Sequence, residues 1–140
     1  IWFEEYASIN ARPFFTLNGH NFALNGVWYL SKYDKKYTDL FKKGVKALEI
    51  LVPQFDAKIW SKYDLNGIPA NHKYHQIHID QLCDMFLRTD NIIFKKYADK
   101  FKLYKFLPFS SLYRLVNYPN NFLILKYVIN FSLSCIIFFR

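Results

Sequence analysis

Residues 37–52 read Tyr37-Thr-Asp-Leu-Phe-Lys-Lys-Gly-Val-Lys-Ala-Leu-Glu-Ile-Leu-Val52. Tyr37, Leu40, Phe41, Gly44, Val45, Leu48, Leu51 and Val52 recur at i, i+3, i+4 and i+7, which places them along one stripe of an α-helix. Lys42, Lys43, Lys46 and Glu49 fall on the opposite side, where a charged run is most simply a solvated face. Pro53 has no N–H to offer and its ring opposes further helix, so the element stops there.

Working outward, the segment before it also has a helical rhythm. Leu17, Leu24, Val27 and Trp28, with His20 on the same face, predict a helix from Leu17 to about Tyr33. Asn18-Gly19 and Asn25-Gly26 are poor helix formers, so this helix needs tertiary packing or a reason for its glycines. Residues 1–13 read as extended and close at Pro13, which disfavours helix at Arg12. On the other side, Phe55 to Leu65 alternates short apolar and aromatic residues before Asn66-Gly67 and Pro69, the pattern of a strand or hairpin arm. A helix follows from Tyr74 to Leu87, expected to bury Ile77, Leu82 and Phe86. Asp90 is expected to cap another through Ile93, Phe94, Tyr97, Ala98 and Phe101. The order is helix, helix, hairpin, helix, helix: a mainly α domain of antiparallel helix pairs with a short β-hairpin.

The composition bounds the function. Hydrophobic residues make up 52% of the chain and aromatic ones 21%, which excludes a disordered chain. The net charge of +8 favours an anionic partner: nucleic acid, a membrane surface or an acidic polysaccharide. A length of 140 residues accommodates one domain or part of one, and an opening at Ile1-Trp2-Phe3, already inside an apolar pattern, reads as a fragment. Cys83 and Cys135 lack metal or redox spacing and read as apolar filler. Residues 106–140 change character to an apolar tail. Within it, residues 122–139 approach the length of a membrane span, although Lys126 and Asn130 interrupt them and an aberrant terminus is the competing reading.

Most of the chemistry-bearing residues lie between Tyr63 and Leu82. His72, His75 and His78 recur every third residue, so His75 and His78 share a helix face and, with Asp64 or Asp80, suggest zinc. The His, Glu and i+4 His spacing of zincins is absent, and a polysaccharide-binding or structural role is the stronger reading. There is no Gly-x-Ser-x-Gly and no phosphate-cradling Gly-rich loop. Lys32-Tyr33-Asp34-Lys35-Lys36-Tyr37 reads as a turn between helices rather than a nucleic-acid surface. What remains is a set of Glu5, Tyr6, Tyr63, Tyr74 and His78. Removing and returning a proton beside a carboxylate requires a base on one face, an acid on the other, and donors that stabilise the charge moving onto the carboxylate. Tyrosine is well suited to donate.

Glu4-Glu5-Tyr6, Phe15-Thr16-Leu17-Asn18-Gly19, Leu51-Val52-Pro53-Gln54-Phe55-Asp56, Tyr63-Asp64-Leu65 and Tyr74-His75-x-x-His78-Ile79-x-Gln81-Leu82 together resemble, in order and approximate spacing, the C-terminal domain of the D-glucuronyl C5-epimerases over residues 1–105. The resemblance implies a partial (α/α) toroid and a cofactor- and metal-independent inversion at C5 of D-glucuronate to L-iduronate within a heparan sulfate-like polymer. Glu5 and Tyr74 would be the opposed proton-transfer pair, with Tyr6 and Tyr63 holding the substrate or donating to its carboxylate. Asn18, Asn66, His75 and His78 complete the expected substrate-binding set. Where the family continues its Tyr-Asp-Leu with Arg-His, this chain has Asn66-Gly67. The resemblance further implies an acidic polysaccharide as partner, a homodimer at full length and, for a eukaryotic source, the Golgi. A non-catalytic polysaccharide-binding module and a membrane-anchored structural protein using residues 122–139 are the alternatives.

Overall fold

The computed structural model describes residues 1–5 and 12–117. Five α-helices succeed one another there: α1 Leu17–Leu30, α2 Lys36–Leu51, α3 His72–Thr89, α4 Ile92–Tyr104 and α5 Pro108–Asn117. A 3-10 turn, Val52–Phe55, prolongs α2 into the segment that follows. The principal packing is α1 on α2 and α3 on α4, with α1 and α3 joining the two pairs. Only residues 31–35 link α1 to α2, and only residues 90–91 link α3 to α4, so each link has to reverse the chain.

The caps explain the boundaries. Asn71 precedes α3 in an extended conformation, and its side-chain oxygen accepts the Tyr74 N–H at 2.9 Å. The capping expected of Asp90 falls instead to Asn91, whose side chain accepts from the Ile93 N–H at 3.0 Å. Asp90 closes α3 in the left-handed region at φ 52°, a conformation that aspartate tolerates better than most residues. The two-residue link spends Asp90 on reversing direction and leaves Asn91 to start α4. α5, which begins at Pro108, was not foreseen, although proline suits a first helical position.

The expected hairpin does not form. Residues 56–70 carry two isolated antiparallel bridges, Asp56 to Ser61 and Lys62 to Pro69. Side chains take groups a ladder would need: the Trp60 indole N–H donates to the Ala70 carbonyl at 2.7 Å, and the Ile68 N–H donates to Asp64 Oδ1 at 3.2 Å. Pro69 has no N–H, and Lys58 and Gly67 turn the backbone at φ 72° and 98°. The outcome is an irregular loop plugged into the core by Trp60, which is completely buried.

Around Trp60 the core gathers Leu17 and Leu24 of α1, Leu48 of α2, Phe55, Ile79, Leu82 and Met85 of α3, and Phe94, Ala98 and Phe101 of α4. Each fully buried large apolar side chain contributes about 1.5–3 kcal/mol. The buried stripe of α3 is His75, His78, Ile79, Leu82 and Met85, whereas Ile77 and Phe86, expected inside, are only half-buried. Gly44 lets α1 and α2 approach, since a Cβ there would stand 2.6 Å from Leu24 Cδ2 and 3.0 Å from Phe3 Cε2. No helix among the described residues is long and apolar enough to cross a membrane; the candidate span 122–139 and Cys135 lie outside them.

Candidate active site

The first five residues run as a strap across the α1–α2 pair, seated on His20. The Phe3 N–H donates to His20 Nδ1 at 2.9 Å, so the ring proton sits on Nε2 and is donated to the Gly44 carbonyl at 3.1 Å. The Trp2 ring stacks on His20 at 3.8 Å between centroids and 9° between planes. Burial lowers the His20 pKa to about 4, against the smaller opposing effect of the Gly44 bond. Beyond this seat, Glu4 Oε2 accepts the Phe15 N–H at 3.0 Å and Glu5 Oε2 accepts the Thr16 hydroxyl at 2.9 Å. Phe15 is held in the left-handed region at φ 54°, an uncommon place for an aromatic residue. Glu5 therefore lies at the N-terminus of α1.

The loop that carries Tyr63 comes to the same end of α1. Its carbonyl accepts the Leu17 N–H at 3.1 Å, and the Leu65 N–H donates to the Phe14 carbonyl at 3.2 Å. Tyr74, in the first turn of α3, meets the Tyr63 ring edge to face, with centroids 4.9 Å apart and planes at 63°. Both tyrosines are half-buried. Glu5, Thr16, Leu17, Tyr63 and Tyr74 thus form one continuous chain of contacts. Tyr6 falls in residues 6–11, outside the described part. Asn66 is exposed at the turn closed by the Gly67 N–H to Asp64 carbonyl bond at 3.4 Å.

His75 and His78 lie in the core, on either side of one hydroxyl. His75 Nε2 donates to the Phe101 carbonyl at 2.9 Å, so His75 Nδ1 is an acceptor, met by the Ser61 hydroxyl at 2.7 Å and the Ser61 N–H at 3.4 Å. The Ser61 hydroxyl has a single proton. Having given it to His75, its oxygen accepts from His78 Nδ1 at 3.0 Å, which puts the His78 proton on Nδ1 and leaves Nε2 as a bare lone pair. Burial, with a smaller contribution from His75, lowers the His78 pKa to about 3. Trp60 stacks flat on His75 at 3.6 Å. With both His75 nitrogens engaged, the zinc arrangement suggested by the histidine spacing has no free ligand atom at His75. No group of three or more His, Cys, Asp or Glu among the described residues could hold a metal ion.

Asn18 is buried on α1, and its carbonyl accepts from Gln81 Nε2 of α3 at 3.2 Å. Asn18 Oδ1, Asn21 Oδ1, Gln81 Oε1 and His78 Nε2 have no hydrogen-bond partner among the described residues, so the seam between α1 and α3 is polar. The loop has a further anchor in Asp56. Its carboxylate accepts from Lys100 Nζ at 2.5 Å, the Tyr104 hydroxyl at 2.8 Å and the Lys58 N–H at 2.7 Å. Burial works to raise the Asp56 pKa, but these bonds outweigh it and hold the carboxyl below its ordinary value. Two residues at the centre of this arrangement, Thr16 and Ser61, were not singled out from the sequence. Thr16 could have been found as the residue preceding a helix start; nothing in the local pattern marks Ser61.

A mainly helical domain with a carboxylate and two tyrosines along one line of contacts is consistent with proton-transfer chemistry. The family model for the D-glucuronyl C5-epimerase C-terminus matches residues 1–103, and the chain belongs to that family. It is also 33% identical over 106 residues to an uncharacterized protein of Methanocaldococcus jannaschii, covering 72% of this chain and 33% of the archaeal one. The chain therefore spans about a third of that relative's length.

Proposed function

We propose that the chain supplies part of the catalytic surface of a uronate C5-epimerase acting within an acidic, heparosan-like polysaccharide, with α1–α2 and α3–α4 as successive hairpins of an (α/α) toroid. The observation that carries this reading is the line of contacts from Glu5 through Thr16 and Leu17 to Tyr63 and the ring of Tyr74. Glu5 takes the C5 proton of D-glucuronate as the C–H electron pair moves into the neighbouring carboxylate, giving an enediolate. The Tyr74 hydroxyl delivers a proton to the opposite face of C5, which yields L-iduronate, a protonated Glu5 and a Tyr74 phenolate. Proton return to Tyr74 and loss from Glu5 complete the cycle without net oxidation. Tyr63, with Tyr6 beside Glu5, donates to the substrate carboxylate as charge accumulates there. Asn66 contacts the sugar, Asn18 joins α1 to α3 through its carbonyl, and His75 and His78 act through Ser61 by fixing the Tyr63 loop.

The test uses the complete gene product and a glucuronate polymer in deuterated water. Deuterium is expected at C5 together with newly formed iduronate, and Glu5→Gln or Tyr74→Phe is expected to slow incorporation by about 100-fold or more. Absence of deuterium at C5 in the unaltered protein overturns the reading. The exposed Asn66-Gly67 turn, where the family places an arginine that could pair with a uronate carboxylate, favours a second reading in which the polymer is bound but not converted. That reading predicts retention on the polymer without exchange.

A further inference from the structure

Thr16 and Gly19 each forgo what the start of a helix ordinarily gains at their positions. Thr16 occupies the N-cap of α1 in an extended conformation and is fully buried, yet its side chain makes no capping bond. A threonine hydroxyl in this position ordinarily accepts a backbone N–H from the turn that follows. Here it faces the other way and donates to Glu5 Oε2 at 2.9 Å. Gly19 sits three residues on, where nearly any other residue would favour the helix more. A Cβ at Gly19 would stand 2.6 Å from Thr16 Oγ1, 2.8 Å from Glu5 Oε2 and 2.9 Å from Glu5 Cβ. Gly26 of the same helix has nothing within 4 Å, so the crowding belongs to Gly19 and not to α1 glycines in general. Both positions give up helix stability, and the carboxylate occupies the space and the bond that result.

We propose that Thr16 and Gly19 are positioning residues for the Glu5 carboxylate: the Thr16 hydroxyl fixes Oε2, and the missing side chain at Gly19 admits it. Oε1, which accepts no hydrogen bond from a described residue, is thereby the oxygen presented to the sugar. The inference rests on the reading of Glu5 as the base. It assigns neither residue a contact with substrate. Glu4 reinforces the arrangement from behind, since its hold on the Phe15 N–H at 3.0 Å fixes the turn leading into Thr16.

The experiment compares Thr16→Val, Thr16→Ser and Gly19→Ala in the complete gene product by the rate of C5 deuterium incorporation. A misplacement of about an ångström can cost on the order of 100-fold in rate, so Thr16→Val and Gly19→Ala are expected to lower kcat by about 10- to 100-fold. KM should stay within about twofold, because ground-state binding is left intact. Thr16→Ser, which restores the hydroxyl, should recover most of the rate. An unchanged kcat in Thr16→Val, in a protein where Glu5→Gln abolishes exchange, overturns the positioning role and leaves Glu5 as the base. Retained exchange in Glu5→Gln overturns the base and the inference with it. A second measurement is independent of turnover: urea midpoints of Thr16→Val, Glu5→Ala and the double variant. A double variant that loses less than the sum of the single losses supports the pairing, and strict additivity overturns it even in a protein without exchange.

Discussion

Two of the three buried histidines, His20 and His78, make the fold sensitive to mild acid. In the unfolded chain each titrates near the ordinary value of 6.5, whereas in the fold His20 is lowered to about 4 and His78 to about 3. A histidine whose folded pKa is depressed favours the folded state fully above 6.5, and that stability is lost as the pH falls towards the folded value, because the unfolded chain binds the proton first. One pKa unit corresponds to about 1.4 kcal/mol, so at pH 5 each histidine removes about 2 kcal/mol and the two together about 4 kcal/mol relative to pH 7.5. A domain of this kind has on the order of 5–15 kcal/mol in total, and a loss of that size is a large fraction of it. Urea unfolding followed by far-UV circular dichroism at pH 7.5, 6.5, 5.5 and 5.0 reads the effect directly. With a slope of about 2 kcal/mol per molar, the midpoint should fall by about 2 M across the series. The paired carboxylates do not contaminate this window: Asp56 is held below its ordinary 3.8, so its contribution is present above that value and is lost only in stronger acid. A midpoint that stays constant from pH 7.5 to 5.0 would refute the reasoning, since it would mean that both rings protonate inside the fold without cost.

Two substitutions probe the scaffold around the site. Gly26→Ala should stabilise the chain by about 0.5–1 kcal/mol, because the position is exposed, lies inside α1 and offers open space to a methyl group; a lower melting temperature would contradict it. Ser61→Ala should destabilise by about 1–3 kcal/mol, because it strands the His78 Nδ1–H and removes the shorter of the two bonds to His75 Nδ1. A urea midpoint indistinguishable from the parent chain's would count against the donor and acceptor assignment.

The helices were legible where one residue class marked one face. The stripe from Tyr37 to Val52 needed no tertiary information, and α2 begins and ends within a residue of the expected span. α3 was found, and Leu82 and, in part, Phe86 face the core as expected, but Ile77 does not join it, because two of the core positions of α3 are His75 and His78. Imidazoles read as polar in a hydropathy pattern, and they become core residues only once Ser61 and the Phe101 carbonyl supply their bonds. The loop from Asp56 to Ala70 failed for a related reason. Its alternation is that of a strand, yet Trp60 and Asp64 spend their side chains on backbone groups of the same loop. Glu5, Tyr63 and Tyr74 remained as candidates once other chemistries were set aside, family resemblance gave them their roles, and the line of contacts between them depends on Phe15 turning the chain into α1. The glycine needed beside Glu5 looked like a defect in a helix. Only the approach of a strap eleven or more positions away explains it.

Ser61 ties these elements into a mechanical linkage. Two hydrogen bonds in series, from the Phe101 carbonyl to His75 and from His75 to Ser61, run from the backbone of α4 to the loop two residues before Tyr63. The one ring on that route, the His75 imidazole, is buried, and Trp60 lies flat against it. The Phe101 carbonyl and the Ser61 hydroxyl are thereby held apart by the width of one packed imidazole. The loop that carries Tyr63 is in this way referenced to the backbone of α4 through a single rigid spacer.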